Sequence, residues 1–437
     1  MALPRSCGDR PVAGQDLSGF HAPRLDPAAV EDSFRVHMDV SNKARARTIE
    51  PPADLVEAVL RDMDVTYEHQ QFHPTRWNSL SNFRAQVMQL EWSSIVGPEM
   101  EMYGQTNRQL FKFNDIIPDR EREQMVWQFV SQRIREYKEG PIYAQFGTFI
   151  KHEEHSDKKL DEGRFRLIAV PSVIDSLVHR MLFPYIYDRA TLNRKLTSMQ
   201  IGWTFRYGGI QELRGKFQKP LSFDMSSWDF TVQEWLWAAG IKHLLGYGLA
   251  DPGWQRVARH ALWSAAAGEF HLPSGTVVRA NGFAYLKSGL YFTLYLNSIM
   301  SEIYHEVALR AAGHPGDATK IIMGDDTVVE TSDMPPALID KYVDNLGKYG
   351  AKVKQVDHAL VFCGFNFDVD KPEYTIRHCW RVVHKHDDIY DQELWAYLVM
   401  YYERRHEPFW RLCSALYSNH FGEPPDLDKL RLEYHGH

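Results

Sequence analysis

Apolar residues recur three and four positions apart along much of residues 54–137, which predicts a mainly helical lobe. The clearest stretches are D-L-V-E-A-V-L-R-D-M at 54–63 and R-E-R-E-Q-M-V-W-Q-F-V-S-Q-R-I-R-E-Y at 120–137. Residues 1–31 are rich in Pro, Gly and Ala and show neither a helical nor a strand period. We therefore expect a loosely ordered N-terminal arm before the helices.

After Pro220 the pattern changes to an alternation of strands and helices. Apolar and β-branched runs predict strands at 221–225, on both sides of the G-D-D at 324–326, and at 351–356, 360–364 and 365–369. Helical periods predict helices at about 232–245, 254–266, 288–309 and 336–349. This order predicts an α+β fold in which one small antiparallel sheet is backed by helices.

Composition bounds the class of protein. A chain of 437 residues with 44% hydrophobic and 13% aromatic content can bury a large core and form more than one lobe. Its net charge of −7 argues against coating nucleic acid by bulk charge, so any nucleic-acid site must be a local basic channel. No apolar run reaches the roughly eighteen residues that a bilayer span needs, and we expect no transmembrane segment in the chain itself.

The cysteines are few and show no C-x-x-C pairing: Cys7, Cys363, Cys379 and Cys413. This argues against a disulfide framework and a zinc ribbon, and we expect a reducing cytoplasmic setting. The His-rich stretch 378–386, with a cysteine upstream, also fits no standard zinc spacing.

Acidic residues interrupt two of the predicted strands. Asp325 and Asp326 stand side by side, where each raises the cost of ionising the other. Gly and Asp are favoured turn residues, so the G-D-D taken alone predicts only a hairpin turn. Asp224 ends another strand, and Asp229 follows five residues later. Carboxylates from separate elements can hold two metal ions for phosphoryl transfer, and oxygen ligands suit Mg²⁺ or Mn²⁺ rather than zinc.

Two further segments carry polar groups between apolar ones. In S-G-L-Y-F-T-L-Y-L-N-S at 288–298, Thr293 and Asn297 share one helical face. The same letters also fit an ordinary amphipathic helix capped by Ser288. The segment 151–168 interleaves acidic residues with the cations Lys151, Lys158, Lys159, Arg164 and Arg166, which alone would fit a solvated charged hairpin.

The order of these segments resembles the viral RNA-dependent RNA polymerases. A basic segment, D-x-x-x-x-D, S-G-x-x-x-T-x-x-x-N, G-D-D and a Lys-containing strand follow one another like that family's motifs F, A, B, C and D. The stretches K-H-E-E-H, F-D-M-S-S-W-D-F-T-V-Q-E-W and L-K-S-G-L-Y-F-T look like the sobemovirus-like group. The resemblance extends over about residues 150–368, and the order is far more specific than any one motif.

The resemblance implies a right-hand polymerase with fingers, palm and thumb. It places the N-terminal arm at 1–31, fingers at 32–219 with motif F at 150–172, palm with motif A at 220–246, a fingers insertion at 247–287, palm with motifs B to E at 288–370, and thumb at 371–437. V-F-C-G-F-N-F at 361–367 looks like the primer-grip hairpin between palm and thumb, although aromatic strands are also common core elements.

Residue roles follow from the same resemblance. Asp224 and Asp325 match the metal ligands, with Asp326 as a weaker neighbour. Asp229 and Asn297 match the positions that sense the ribose 2′-OH, a hydroxyl that an acceptor and an amide together read well. The other implied nucleotide-binding residues are Ser288 and Gly289 in a flexible turn, Thr293, and the basic Lys151, Lys159, Arg164 and Arg166, of which Arg166 is our first choice for the triphosphate.

A general acid for the leaving pyrophosphate is expected on motif D. Lys352, Lys354 and His358 are candidates there, and strand alternation puts the two lysines on one face, so the sequence does not separate them. Ordinary solvated lysines would produce the same pattern. Two departures from related sequences concern local turn shape: Glu154 where Pro is common and Ser227 where Gly is common.

The expected function is RNA-templated RNA synthesis from nucleoside triphosphates by two-metal nucleotidyl transfer, replicating a positive-strand RNA virus genome. Expected partners are template and nascent RNA, nucleoside triphosphates, a protein primer and other viral replicase proteins. The expected location is the host cytoplasm, in membrane-associated replication complexes reached through other proteins. Two alternatives stay open: a reverse transcriptase, which would need a bulky residue against the 2′-OH, and a non-catalytic RNA-binding replicase scaffold with a degenerate palm.

Overall fold

The computed structural model describes residues 14, 16–17, 19–279, 285–384 and 390–436. The helices are α1 (Pro27–Arg47), α2 (Ala53–Thr66), α3 (Leu80–Val87), α4 (Asn107–Phe111), α5 (Arg120–Glu139), α6 (Asp157–Asp161), α7 (Val173–Leu182), α8 (Ile186–Asn193), α9 (Gly209–Arg214), α10 (Trp228–Thr231), α11 (Glu234–Leu245), α12 (Pro252–Ala266), α13 (Thr293–Ala312), α14 (Pro336–Lys348), α15 (Thr375–His384), α16 (Tyr390–Met400), α17 (Pro408–Phe421) and α18 (Leu427–His435). The strands are β1 (Phe20–His21), β2 (Gln145–Ile150), β3 (His155–Ser156), β4 (Leu167–Pro171), β5 (Pro220–Met225), β6 (Glu269–His271), β7 (Val277–Arg279), β8 (Lys320–Met323), β9 (Asp326–Glu330), β10 (Val353–Asp357), β11 (Val361–Phe362), β12 (Phe365–Asn366) and β13 (Lys371–Pro372).

The N-terminal part is helical, as the spacing predicts, but the helices begin earlier than expected. Helix α1 starts at Pro27, inside the segment 1–31 that was predicted to be a loose arm. The Asp26 carboxylate accepts a hydrogen bond from the Ala29 N–H, and Pro27 fits the first turn because it has no N–H to satisfy. Residues 1–13 of the predicted arm lie outside the described residues.

A small antiparallel sheet is present, as predicted, with the strand order β10-β5-β9-β8. The strands predicted at 360–364 and 365–369 are shorter and lie instead in a separate three-stranded sheet, β11-β12-β13. In its centre β5 pairs with β9, Phe223 opposite Thr327, and on the other side with β10. Strands β8 and β9 form a hairpin whose turn contains Gly324, with a left-handed φ of 69° that glycine adopts at little cost. The register of β10 shifts between Val353 and Gln355, so strict side-chain alternation does not hold across Lys354.

Helices α13 and α14 cover this sheet, and nearly the whole of α13 is buried. It begins at Thr293, so the predicted start at Ser288 is wrong. The Lys287 carbonyl accepts hydrogen bonds from the Leu290 N–H and the Thr293 hydroxyl, which closes a turn before the helix. Ser288 therefore lies in that turn and does not cap α13, so the capped-helix alternative is also wrong.

A second sheet, which was not predicted, is mixed and has the strand order β4-β2-β6-β7. Its β2 and β6 pair in parallel although more than one hundred residues separate them. The basic segment 151–166 connects β2 to β4 in this sheet, and the Lys151 N–H donates to the Arg166 carbonyl at 2.8 Å beyond the last strand pair. The sheet therefore holds the two ends of the basic segment together.

The C-terminal helices share a second hydrophobic core with the short strands β11 and β12, with α9 and with one face of the β8–β9 hairpin. Phe362, Phe365 and Phe367 contribute to that core, together with buried residues of α15 to α18. None of the helices in the described ranges has both the length and the apolar character to cross a bilayer.

Candidate active site

Three carboxylates meet at one end of the sheet β10-β5-β9-β8. Asp224 lies near the end of β5, and the antiparallel register of β5 with β9 places it close to Asp326, the first residue of β9. Asp325 precedes it in the hairpin turn, where Gly324 N–H donates to the Ser298 hydroxyl of α13 at 2.9 Å. The fold thus brings Asp224 of β5 close to Asp325 and Asp326 of the β8–β9 hairpin.

The protonation behaviour of these groups reflects their crowding. Desolvation raises the pKa of Asp325, and the nearby Asp224 carboxylate adds to the increase. Asp326 keeps an accessible surface, but the surrounding protein partly desolvates its carboxylate. This desolvation, together with repulsion from Asp325 and Asp224, raises the pKa of Asp326 to about 7. The site is therefore short of positive charge.

One lysine of motif D supplies part of that charge. The Lys354 ammonium group forms an ion pair with the Asp224 carboxylate across β10 and β5. Lys352 precedes β10, and its carbonyl accepts a hydrogen bond from the Ser226 N–H at 2.8 Å. His358 follows the far end of β10 and lines a pocket with Lys219. Of the three candidates for a general acid, Lys354 alone contacts a site carboxylate among the contacts found in the described residues.

The donor set suits a hard divalent cation. Carboxylate oxygens are the ligands that Mg²⁺ and Mn²⁺ prefer, and Asp224 already contacts a cationic group in the form of Lys354. In their present positions, no three His, Cys, Asp or Glu side chains in the described ranges converge closely enough to hold a metal ion. The same finding applies to the described part of 378–386, where His378 instead makes a 2.9 Å hydrogen bond with the Tyr401 hydroxyl group. His386 lies outside the described residues.

Arg166 faces the carboxylates from the second sheet. Its positive charge lowers the pKa of Asp325 and Asp229 against the larger opposing effect of burial. The guanidinium group is largely exposed and lies 3.6 Å from Glu153, which also pairs with Lys151 at 2.9 Å. Arg166 is thus placed to meet an anionic ligand at the carboxylates.

The other basic residues form a cluster with the C-terminal helices. Burial lowers the pKa of Lys159, and the nearby cations Arg377, Arg164 and Lys354 lower it further. Arg164 itself pairs with Glu162 at 2.9 Å. Positive groups from motif F, β10 and α15 therefore converge, although their positions in the sequence are far apart.

Both departures from related sequences have a structural explanation. The buried Glu154 carboxylate pairs with Arg381 of α15 at 3.1 Å and lies 4.0 Å from Arg377, so it joins the basic segment to the C-terminal helices. Ser227 has a φ of 53°, in the left-handed region that glycine adopts more easily. The Glu154 position therefore supplies a contact that a proline would not make.

The first residues of motif B form a turn that packs against the mixed sheet. The Gly289 N–H donates to the Ala169 carbonyl at 3.0 Å, and a Cβ atom on Gly289 would lie 2.5 Å from that oxygen. The close approach requires glycine. Ser288 lines a small cavity with Asp229, and the Thr293 hydroxyl donates to the Lys287 carbonyl.

The two residues expected to sense the sugar both adjoin Trp228, Asp229 as the next residue in the chain and Asn297 through a hydrogen bond. Asn297 is buried, and its Oδ1 accepts a hydrogen bond from the Trp228 indole N–H at 2.5 Å. Desolvation, with repulsion from Asp325, raises the pKa of Asp229 to about 7. Trp228 was not among the site residues predicted from the sequence. Its position next to Asp229 was the available signal, but a tryptophan among apolar residues also fits a core.

The chain matches a known protein family over most of its length. The sequence model of the family described as viral RNA-dependent RNA polymerase matches residues 24–402. The chain belongs to the viral RNA-dependent RNA polymerase family. The match covers most of the chain and extends on both sides of the segment 150–368 in which the motif order was found.

Relatives of this polymerase-family chain occur in plant viruses. It is 26% identical over 401 residues to "Protein P1-P2" of Turnip yellows virus, a match that covers 82% of this chain and 37% of the relative. It is 28% identical over 241 residues to the "Replicase polyprotein P2AB" of Southern bean mosaic virus, covering 53% of this chain and 24% of the relative. For the "Replicase polyprotein P2AB" of Southern cowpea mosaic virus the identity is 30% over 188 residues, covering 41% and 19%. The chain thus matches well under half the length of these relatives.

Proposed function

We propose that the chain synthesises RNA on an RNA template from nucleoside triphosphates and so replicates the genome of a positive-strand RNA virus. The observation that carries the proposal is the meeting of Asp224 with Asp325 and Asp326 at one sheet end, opposite Arg166. Carboxylates that hold cations, facing a residue that binds phosphate, are what nucleotidyl transfer requires. Membership of the polymerase family supports the same conclusion.

The fold is then a right hand. The sheet β10-β5-β9-β8 with α13 and α14 is the palm, at 220–246 and 288–370. The N-terminal helices and the mixed sheet are the fingers, at 32–219 and 247–287, and the helices of 371–437 are the thumb. The shared core of β11, β12 and the C-terminal helices supports the primer-grip assignment of 361–367.

In the proposed reaction a primer 3′-OH attacks the α-phosphate of a nucleoside triphosphate and pyrophosphate leaves. Asp224 and Asp325, with Asp326 as a weaker ligand, would hold Mg²⁺ or Mn²⁺ ions, which polarise phosphate oxygens and neutralise their charge when bound. Arg166 orients the triphosphate, assisted by the other cations of the basic segment, Lys151, Lys159 and Arg164. Most of the rate comes from this positioning and from charge stabilisation.

Two further groups act on the nucleotide. Lys354 lies nearest the carboxylates and is the proton donor that we favour for the leaving pyrophosphate; Lys352 would hold the strand in place through its carbonyl group. Asp229 and Asn297 read the ribose 2′-OH, and Ser288, Gly289 and Thr293 form the turn beside the incoming nucleotide.

Specific features disfavour the two alternatives. A reverse transcriptase needs a bulky group against the 2′-OH, whereas polar Asp229 and Asn297 stand at the matching positions. A scaffold with a degenerate palm would have no reason to keep the Asp224–Lys354 contact and Arg166 near crowded carboxylates. We further propose that a protein primer and other replicase proteins are partners, and that they bring the chain to membrane-associated complexes in the host cytoplasm.

The test is incorporation of labelled ribonucleotides by the purified chain on a defined RNA template with Mg²⁺, and again with Mn²⁺. We expect products whose sequence follows the template and whose formation stops when the template is omitted or EDTA is added. Efficient use of deoxynucleotides would favour the reverse-transcriptase alternative. RNA binding without incorporation would favour the scaffold.

A further inference from the structure

The hydrogen bond between Trp228 and Asn297 fixes which way the Asn297 amide points. An indole N–H is a donor only, so the atom it contacts must be the amide oxygen and not the amide nitrogen. The Asn297 Nδ2 atom then points away from Trp228, and it lies 3.2 Å from the position that a Cβ atom on Gly324 would take. The amide therefore presents its N–H groups toward the G-D-D turn.

Trp228 is itself held firmly. It is 4% exposed, and its ring packs edge-on against Tyr304 with 5.6 Å between ring centroids. The Tyr304 hydroxyl donates to the Leu346 carbonyl and accepts a 2.7 Å hydrogen bond from the Ala351 N–H, one residue before Lys352. The orientation of Trp228 is thus set by a buried contact between α13 and the segment that leads into β10.

This orientation matters for a hydroxyl ligand. A ribose 2′-OH can donate one hydrogen bond and accept others, so an acceptor and a donor on the protein read it completely. The Asp229 carboxylate supplies the acceptor when it is ionised. Asn297 can supply the donor only while its oxygen faces Trp228, because a rotated amide would present its oxygen, an acceptor, where its N–H groups now point.

We propose that Trp228 is a positioning residue for sugar selection: it holds the Asn297 amide in the orientation that donates to the ribose 2′-OH. The proposal rests on the proposed polymerase function and adds to it a residue that does not itself touch the nucleotide. Without the indole N–H, the amide can turn over and the preference for ribonucleotides declines.

The experiment compares ATP with dATP in single-nucleotide extension of one RNA primer–template. The test variant is Trp228→Phe, which keeps an aromatic ring but removes the N–H. Trp235→Phe is the matched control, because Trp235 also stacks on Tyr304 but donates to the Tyr349 carbonyl instead, at 3.2 Å. We expect Trp228→Phe to narrow the ATP/dATP ratio of kcat/KM about three- to tenfold, mainly through a lower value for ATP, and Trp235→Phe to leave the ratio unchanged.

A double variant separates positioning from general packing. If Trp228 acts through Asn297, Trp228→Phe should narrow the ratio no further once Asn297→Ala is present. Equal losses for ATP and dATP in Trp228→Phe would mean a packing role and would overturn the inference. If Trp228→Phe keeps templated activity with an unchanged ATP/dATP ratio, the inference about Trp228 is overturned and the proposed function stands. If the unaltered chain shows no templated activity, both the proposed function and this inference are overturned.

A spectroscopic measurement covers the case in which Trp228→Phe fails to fold. In protein labelled with ¹⁵N-tryptophan, one indole N–H resonance should move in Asn297→Ala, in which the acceptor is lost. It should keep its hydrogen-bonded position in Asn297→Asp, where a carboxylate oxygen can still accept. Indole spectra unchanged by Asn297→Ala would show that the hydrogen bond does not form in solution and would refute the proposal.

Discussion

The ammonium group of Lys354 pairs with the carboxylate of Asp224 where β10 meets β5. The pair puts a cation against a residue proposed to bind metal, and it puts the proposed proton donor at the site before substrate arrives. A divalent ion at Asp224 would compete with Lys354 for the same oxygens. Released from that carboxylate, Lys354 is free to protonate the leaving pyrophosphate.

Replacement of Lys354 tests which of the two motif D lysines, Lys352 or Lys354, is the general acid. We expect Lys354→Met to lower kcat on the order of a hundredfold with little change in nucleotide KM, because general acids contribute roughly 10²–10⁴-fold. Lys352→Met is the matched control and should lower kcat far less. Pre-steady-state single-nucleotide extension measures both. A larger loss in Lys352→Met than in Lys354→Met would reverse the assignment.

Arg166 should act on the nucleotide more than on the template. Arg166→Ala should raise the apparent nucleotide KM and lower kcat, because triphosphate charge is held before and during transfer. Arg279→Ala is the control, since Arg279 lies in the same sheet but pairs with Glu269 at 2.7 Å. The free energy of unfolding of Arg166→Ala should differ from that of the unaltered chain by less than about 0.5 kcal/mol, because the Arg166 side chain is 59% exposed. Weaker RNA binding with unchanged nucleotide kinetics would assign Arg166 to the template channel.

Glu154 should couple the basic segment to the C-terminal helices. Glu154→Gln keeps the shape but removes the charge that pairs with Arg381, and we expect the free energy of unfolding to fall by about 1–3 kcal/mol. Polymerase–RNA complexes should also dissociate faster, because the two sides of the basic cluster are held less tightly. Glu153→Gln is the control, because it removes the neighbouring negative charge, whose ion pairs are with Lys151 and Arg166 inside the basic segment. Identical unfolding and dissociation rates for wild type and Glu154→Gln would contradict the coupling.

Buried histidines should make the fold sensitive to mild acid. Burial lowers the pKa of His179 and of His37 to about 4, from 6.5 in an unfolded chain. At these two histidines the unfolded chain therefore binds protons between pH 6.5 and 4 that the folded chain does not, so their contribution to stability is constant above this window and falls as pH decreases through it. His179→Gln removes one such group. The free energy of unfolding of His179→Gln should fall less steeply between pH 6.5 and 4 than that of the unaltered chain. The total loss over this window should be smaller by roughly 1–3 kcal/mol, as measured by denaturant titrations at each pH.

Local patterns predict the two elements that carry the proposed catalytic centre. The strand with Asp224 and the Gly-Asp turn with Asp325 and Asp326 are each encoded by a short stretch, whereas their meeting through the pairing of β5 with β9 was expected only from the family resemblance. The helices α5, α11, α12 and α14 likewise follow from apolar spacing alone. These features need only information that lies within about twenty residues.

Features that depend on distant pairing were not predictable. The parallel pair β2 and β6 and the ion pair of Glu154 with Arg381 join segments that no local pattern connects. The register shift in β10 broke the expected equivalence of the two lysines, because one extra residue alters which side chain faces Asp224. Trp228 looked like a core residue, since its apolar ring is buried and only its N–H distinguishes it.

The most direct test of the account compares the unaltered chain with Asp325→Ala in RNA-templated incorporation of labelled ribonucleotides with Mg²⁺. We predict template-dependent products from the unaltered chain and none from Asp325→Ala, with Asp333→Ala, at an exposed aspartate outside the site, as active as the unaltered chain. Thermal unfolding should show Asp325→Ala to be at least as stable, because the substitution removes a desolvated carboxylate next to Asp224. Templated synthesis by Asp325→Ala at the unaltered rate, with the same metal dependence, would contradict the central claim.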